Sequence, residues 1–222
     1  MNLHDDFQRA VAIDSAALAW VASPQAGVER RMLERIGEEV ARATSVVRYA
    51  PQSAFVAHTH GGGEEFLVLE GVFSDENGDY PRGFYVRNPP GSRHRPSSAA
   101  GATIFVKLRQ MHAEDRKSVR MDTQDPAGWR SDAGGARLRL LYEGFGERVE
   151  LLAWPAGFEG SWIWPAGAEY FVLEGAFDDE LGRHGEAAWL RLPAGAMQTV
   201  RAVKPVRLYR KTGHLRHPLG VS

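Results

Sequence analysis

The sequence predicts an all-β protein made of two copies of one module. Short runs of β-branched and aromatic residues, at 66–69, 83–87 and 103–108, are separated by clusters of Gly, Pro, Asp and Asn, which is typical of a β-sandwich or barrel. The 24 glycines and 12 prolines are enough for the turns that such a fold needs. A shift of 104 residues places residues 66–73 on residues 170–177, so the same pattern occurs twice.

The repeat continues in one register over about 60 positions. It is marked by identical pairs of residues at Pro51 and Pro155, Gly78 and Gly182, Arg87 and Arg191, Gly91 and Gly195, and Lys107 and Lys211. We therefore predict an N-terminal domain at 1–112 and a C-terminal domain at 129–222. The charged, polar stretch at 113–128, which has no apolar periodicity, is the predicted linker.

One stretch near the start has two interpretations. Apolar residues between Met32 and Val40 have a spacing that a helix could use. The corresponding stretch of the second module, at 137–154, has the pattern strand, turn, strand. We therefore predict a β-hairpin in both modules.

Composition excludes several kinds of chemistry. The chain of 222 residues has no cysteine, which excludes disulfides, thiolate nucleophiles, iron–sulfur clusters and Cys-ligated zinc. The formal net charge is −1 and the isoelectric point is near 6.7, so no general attraction to nucleic acid or to anionic membranes is expected. The longest apolar run has seven residues and the N-terminus is acidic, so we expect no membrane span, no signal peptide and a cytoplasmic protein.

Four residues of the first module form a candidate metal site. His58 and His60 are alternate residues of a predicted strand and therefore face the same side. Glu64 follows a glycine triplet that allows a tight turn, and His94 follows a Pro-Pro-Gly turn. Glu65 competes with Glu64 for the ligand role, and the spacing to the next glycine and the repeat favour Glu64. Three imidazoles and one carboxylate suit a divalent transition metal such as Zn, Fe, Mn, Ni or Cu.

These residues belong to two spaced motifs. The pattern His-x-His-x3-Glu-x6-Gly runs from His58 to Gly71, and the pattern Gly-x5-Pro-x-Gly-x2-His runs from Gly83 to His94. They resemble the two cupin motifs, which implies a cupin β-barrel, the double-stranded β-helix or jelly roll. The repeat then implies a bicupin, with two cupin barrels in tandem.

The first module is also similar to the cupin half of ChrR-type anti-sigma factors. The similarity lies in the segments 48–51, 63–73, 78–81 and 105–108. In that family the cupin binds zinc through three histidines and one glutamate, which implies zinc, with Fe, Mn or Ni as alternatives, at His58, His60, Glu64 and His94. The family's sigma-binding domain is helical and carries cysteines, so we do not expect direct sigma-factor binding by this chain.

The second module is an internal control. The four candidate ligands are replaced by Trp162, Trp164, Ala168 and Gln198. We therefore predict one divalent metal per chain, in the first barrel, and tryptophans that fill the second barrel or, as the alternative, shape an apolar pocket in it. Residues kept in both copies are predicted to be structural, as rim charges or inter-strand pairs: Glu65 and Glu169, Glu70 and Glu174, Arg87 and Arg191, and Lys107 and Lys211.

Two further clusters are interpreted as surface features. The acidic run at 75–79 lacks the terminal glutamate of a calcium loop and is predicted to be a surface hairpin turn. His214 and His217 have a spacing that metal sites use, but a solvated tail is the preferred interpretation.

Two classes of function fit the sequence. The ChrR resemblance implies a regulatory or sensory protein with a closed zinc site and no turnover. The alternative is a non-haem iron dioxygenase that cleaves a small dicarbonyl or hydroxy-ketone bound in the first barrel, because an octahedral ion with four protein ligands keeps two open positions. The resemblance also implies a homodimer formed by pairing of edge strands.

Overall fold

The computed structural model describes residues 1–38 and 40–215. These residues form β-strands and one short 3-10 turn at Ser15–Ala17. The all-β prediction is confirmed. Within the described residues, no helix has the length and apolar character needed to cross a membrane.

The strands fall into two contact units, each described here by itself. In chain order, the strands as far as the middle of the sequence are Val11–Asp14 (β1), Val21–Ala22 (β2), Val28–Ile36 (β3), Arg42–Tyr49 (β4), Ser53–Ala54 (β5), His58–His60 (β6), Glu64–Asp75 (β7), Gly78–Pro81 (β8), Phe84–Asn88 (β9), Ser92–His94 (β10), Ser97–Ser98 (β11), Ala102–Leu108 (β12) and Val119–Asp122 (β13). They are followed by Trp129–Ser131 (β14), Arg137–Gly144 (β15), Glu147–Trp154 (β16), Glu159–Trp164 (β17), Ala168–Glu174 (β18), Ala176–Asp179 (β19), Gly182–Gly185 (β20), Ala188–Leu192 (β21), Ala196–Ala202 (β22) and Val206–Thr212 (β23).

The first unit contains a large sheet and a small one. The main path of the large sheet has the order β13-β9-β7-β12-β4-β3-β2, and the small sheet is the antiparallel pair β10-β6. The core packs apolar side chains from β4, β7, β9 and β12, where inward positions alternate with outward ones. The hairpin predicted for residues 32–40 and their neighbours is confirmed, because β3 and β4 pair in antiparallel register from Val28 and Tyr49 to Ile36 and Arg42.

The second unit repeats this arrangement. Its large sheet has the order β1-β21-β18-β23-β16-β15-β14, and its small sheet has the order β17-β22-β19-β20. The hairpin β15–β16 corresponds to β3–β4, and β17 and β22 correspond to β6 and β10. The internal repeat of the sequence is therefore a repeat of the fold.

The contact units differ from the predicted boundaries. Residues Asp6–Leu18 belong to the second unit, because β1 pairs with β21 along its whole length. Most of the predicted linker belongs to the first unit, because β13 pairs with β9 and Asp115 is buried against Arg87. The strand within this stretch is short: in β13 the partly buried Val119 and Met121 alternate with the exposed Arg120 and Asp122.

A glycine stands at the same place in each module, within β7 in the first and directly after β18 in the second, for a steric reason. Gly71 has a φ of 72° and Gly175 has a φ of 80°, values that favour glycine. A Cβ atom at either position would also collide with a backbone carbonyl, that of Gly101 or that of Pro205. The Glu-Gly dipeptide shared by the two modules is thus a requirement of the backbone.

Candidate metal centre

Three histidines of the first unit converge at the small sheet. His58 and His60 lie on the same face of β6, and the antiparallel partner β10 places His94 directly opposite His58. The centroids of the three rings are 4.8, 4.9 and 5.1 Å apart. One nitrogen from each ring lies within 4.8 Å of the others, which is close enough for a single ion to bind all three.

Glu64 approaches the same point from the start of β7. Its Oε2 atom lies 3.4 Å from Nε2 of His60 and 3.6 Å from Nε2 of His94. These two imidazole nitrogens are 2.9 Å apart. The structure therefore brings the carboxylate of Glu64 next to two of the three histidines, and its role as a ligand remains a prediction.

The adjacent carboxylate, Glu65, faces the other way, because successive residues of a strand alternate. It accepts hydrogen bonds from Tyr85 at 2.7 Å and from Arg87 at 2.8 Å. Arg87 also donates to Asp115 at 2.8 Å, and the Arg87 side chain is fully buried. Glu65 and Arg87 are thus an inter-strand pair within a buried ionic cluster, which confirms one of the two predicted alternatives; they are not rim charges.

The site is buried on one side and open on the other. The side chains of His60, Glu64 and His94 are 8%, 7% and 2% exposed. His58 is exposed. An ion at this position would be held from within the barrel and approached from the side of His58.

The electrostatic surroundings differ between the two buried histidines. Burial lowers the pKa of His60. The charge of Glu64 acts in the opposite direction, and the His94 and His58 rings lower the pKa further. Burial by itself would lower the pKa of His94, but a hydrogen bond to Asp75 and the charge of Glu64 outweigh it and raise that pKa. A lowered pKa favours the neutral form of the His60 imidazole, and the neutral form is the one that binds metals.

The donor set fits a divalent transition ion. Nδ1 of His94 lies 3.2 Å from the carboxylate of Asp75, and Nδ1 of His58 lies 3.3 Å from the carbonyl oxygen of Val56. When each Nδ1–H donates to its oxygen, Nε2 of the same ring is left free to bind a metal, an arrangement common among metal-ligating histidines. Imidazole nitrogens with one carboxylate match the ligand preferences of zinc, iron, nickel and manganese, and do not identify which one binds.

Asp75 is a functional candidate that the sequence interpretation missed. It was predicted to lie in a surface turn, but its side chain is fully buried and accepts hydrogen bonds from His94 and from Tyr80, the latter at 2.9 Å. Burial by itself would raise the pKa of Asp75; the hydrogen bonds from His94, from the Asn77 backbone and from Tyr80 lower it to about 2. Strand alternation after the buried Phe73 could have identified it as facing inward.

The equivalent position of the second unit is filled by aromatic rings. Trp154 stacks on Phe158 with a centroid distance of 4.9 Å and on Trp162 at 5.9 Å, and Trp162 stacks on Trp164 at 5.7 Å. These rings pack against the second hydrophobic core. The prediction that the tryptophans fill this barrel agrees with the packing.

Gln198, which stands where His94 stands in the first unit, is held by three hydrogen bonds. It accepts from Trp164 at 3.1 Å and from Tyr170 at 3.0 Å, and donates to Asp179 at 2.8 Å. No group of three metal-ligating side chains is found in this unit among the described residues.

The interpretation of His214 as part of a solvated tail is wrong. Its side chain is 4% exposed, and its Nε2 atom lies 2.9 Å from the carboxylate of Glu169. Glu169 also accepts a hydrogen bond from Trp189 at 2.7 Å. His214 is therefore part of a buried polar cluster of the second unit, whereas His217 lies outside the described residues.

Comparison with known proteins agrees with the fold. Residues 8–112 match the family model described as the ChrR Cupin-like domain. A search of curated proteins gave no significant match. The first half of the chain is therefore similar to ChrR-type cupin domains.

Solved structures share the fold of the whole chain at low sequence identity. A protein from Nostoc punctiforme, described as a candidate dioxygenase, has a TM-score of 0.80 and 16% identity, with coverage of 97% of this chain and 86% of that one. The pirin YhhW of Escherichia coli, solved in complex with nickel(II), has a TM-score of 0.67 and 10% identity, with coverage of 92% and 98%. An oxalate decarboxylase variant from Bacillus subtilis has a TM-score of 0.63 and 10% identity, with coverage of 91% and 76%. At these identities the comparison establishes the shared fold.

Proposed function

We propose that this chain is a divalent-metal-binding cupin with a regulatory or sensory role, related in its first barrel to the ChrR-type anti-sigma factors. One zinc ion per chain would be held by His58, His60, Glu64 and His94. The observation that carries this proposal is the convergence of three imidazole nitrogens, with the Glu64 carboxylate beside two of them.

The sensory role is favoured by the number and burial of the protein ligands. Four protein ligands complete the tetrahedral shell of zinc, and a closed shell of this kind is typical of structural or sensing sites. Three of the four side chains are nearly buried, so the ion would be part of the interior of the first barrel.

The exposed position of His58 favours a second candidate, an iron-dependent dioxygenase. A small dicarbonyl or hydroxy-ketone could reach the site from this side. Iron(II) would supply oxygen activation, and a β-diketone with O2 would give a carboxylic acid and a keto-aldehyde, so that both atoms of O2 are retained in the products. The Nostoc protein with the same fold is itself described as a candidate dioxygenase.

Metal content tests the first proposal. Elemental analysis of the purified protein is expected to give one equivalent of metal per chain, and the double variant His58→Ala/His60→Ala is expected to give less than a tenth of that. His112→Ala is the control, because His112 lies outside the cluster. Two equivalents in the wild type, or full retention in the double variant, would contradict the proposal.

Oxygen uptake separates the two functions. The protein is loaded anaerobically with Fe(II) and then exposed to O2 with a panel of β-diketones and hydroxy-ketones. Substrate-dependent uptake that is lost in the double variant supports the dioxygenase. Zinc as the metal in the purified protein, together with no uptake by the iron-loaded form, supports the sensory role.

A further inference from the structure

Hydrogen bonds connect two of the candidate ligands through residues that do not themselves bind the ion. Asp75 accepts from Nδ1 of His94 at 3.2 Å, and Tyr80 donates to the same carboxylate at 2.9 Å. The side chain of Asp75 is fully buried and that of His94 is 2% exposed. The imidazole of His94 therefore has a fixed partner on the side away from the cluster.

Glu64 has an equivalent partner in Asn88. The amide of Asn88 donates to Oε2 of Glu64 at 3.1 Å. Asn88 lies directly opposite Glu64 in the pairing of β7 with β9, and it is 3% exposed. This hydrogen bond limits the rotation of the carboxylate beside His60 and His94.

Arg120 on β13 joins the two partners. Its Nε donates to the hydroxyl of Tyr80 at 2.9 Å, and its Nη2 donates to the amide oxygen of Asn88 at 3.3 Å. The path from His94 through Asp75, Tyr80, Arg120 and Asn88 to Glu64 is thereby continuous.

Comparison with the second unit shows which residues of this path are present only in the unit that has the histidine cluster. Asp179 occupies the place of Asp75 and is retained, but its partners are Gln198 and His184. The positions of Asn88 and Tyr80 hold Leu192 and His184.

The position of Arg120 is identified from the strand pairing. Arg120 follows Val119, which pairs with Arg87, and Ala12 follows Val11, which pairs with Arg191. Ala12 therefore occupies, in the second unit, the position that Arg120 occupies in the first.

We propose that Asp75 and Arg120 are positioning residues of the metal centre. Asp75 orients His94 directly, and Arg120 acts on His94 and Glu64 through Tyr80 and Asn88. The inference rests on the proposed metal-binding function. Groups that hydrogen-bond to ligands fix the ring orientation and the tautomer, and their removal weakens metal binding by about 10–100-fold.

The test compares Asp75→Asn and Arg120→Ala with two matched controls in the second unit, Asp179→Asn and Arg183→Ala. Zinc affinity is measured by competition with a chelator, and the geometry of the site is followed by the visible absorption spectrum of the Co(II)-loaded protein. Circular dichroism confirms the fold of each variant.

Both first-unit variants are expected to bind zinc about 10–100-fold more weakly and to have an altered Co(II) spectrum. Arg120→Lys should restore only part of the affinity, because an ammonium group lacks the planar fork that reaches two acceptors. Both controls should bind zinc within about twofold of the wild type.

The outcomes distinguish a failure of the positioning role from a failure of the proposed metal binding. If the wild type binds zinc while Arg120→Ala keeps wild-type affinity and spectrum, the positioning role is wrong and the metal site stands. If the wild type itself binds no divalent ion, the proposed function fails and the positioning role fails with it. Because the Arg120 side chain is partly in solvent, its variant keeps the test valid even if Asp75→Asn fails to fold.

Discussion

At the scale of single residues, burial of charged groups is the feature that most distinguishes this chain. Arg87 and Arg191 are fully buried, and Lys107 and Lys211 are at most 1% exposed. Lys107 donates to the hydroxyl of Thr44 at 2.9 Å, and Lys211 pairs with Glu147 at 3.0 Å. Charges at such positions are tolerated only when they are paired.

Replacement of Arg87 by Ala is expected to destabilise the first unit by about 3–5 kcal/mol, because it leaves the carboxylates of Glu65 and Asp115 buried without their cation. Urea denaturation followed by circular dichroism measures the loss. Arg183→Ala, at an exposed arginine, should change stability by about 0.5 kcal/mol or less. Equal effects of the two substitutions would show that the buried cluster contributes no more than a surface pair.

A pH dependence is expected from Asp179. Burial by itself would raise the pKa of this carboxyl, but hydrogen bonds from His184 and Gln198 lower it. Because the folded-state pKa lies below the unfolded value of about 3.9, the contribution to stability is present above that pH and is lost as the pH falls through the folded-state value.

The free energy of unfolding of Asp179→Asn is therefore expected to be lower than that of the wild type at pH 7, with a difference that shrinks as the pH falls from 5 towards about 3. Tryptophan fluorescence in urea is a suitable measurement, because five of the six tryptophans lie in the second unit. A difference that is constant with pH would contradict this assignment.

At the scale of elements, one edge strand of the large sheet in each unit comes from outside the two stretches in which the sequence repeat was recognised. β13 pairs with β9 in the first unit, and β1 pairs with β21 in the second. The turns that follow are also alike: Thr123 donates through its hydroxyl to the carbonyl of Gly83 at 2.6 Å, and Ser15 donates to that of Ala187 at 2.7 Å. The two segments are thus equivalent elements.

The aromatic stack occupies the place in the second barrel that the histidine cluster has in the first. Trp154→Ala is expected to destabilise the second unit by about 3–5 kcal/mol, because a buried ring in contact with Phe158, Trp162 and Phe177 is removed. Metal stoichiometry should not change.

The control for this prediction is Trp129→Ala. Trp129 is half-buried and packs under the guanidinium of Arg137 at 4.9 Å, so a loss of about 1 kcal/mol or less is expected. Fluorescence-detected unfolding compares the two variants. A loss of metal from the Trp154 variant would show that the stack supports the metal centre after all.

At the scale of the whole molecule, a metal in the first barrel should stabilise the two units unequally. A ligand present at 100 times its dissociation constant adds about 2.7 kcal/mol to the stability of the state that binds it. Hydrogen exchange followed by mass spectrometry, with and without zinc, is expected to show greater protection in β6, β7 and β10, and little change in β17, β18 and β22. Equal protection of both sets would contradict a single site.

Much of the fold and part of the site could be predicted from the sequence. Strand periodicity and the shift of 104 residues predicted two all-β modules, and the motif spacing predicted the residues that converge at β6 and β10. The roles of Asp75 and Arg120 could not be predicted, because their hydrogen bonds join residues that are far apart in the sequence. In β13, Val119 and Met121 alternate with charged residues over only four positions, which is too short a pattern to indicate a strand in a polar stretch.

The sequence by itself determined the module, its duplication and the loss of the histidines from the second copy, because these depend on local residue patterns and on spacing. Only the tertiary structure decided which segment completes each barrel, that Glu65 is buried in an ionic cluster away from the histidines, and that Asp75 contacts His94. Strand pairing and burial are set by contacts between distant parts of the chain. The residue pattern of one segment does not specify which other segment it pairs with.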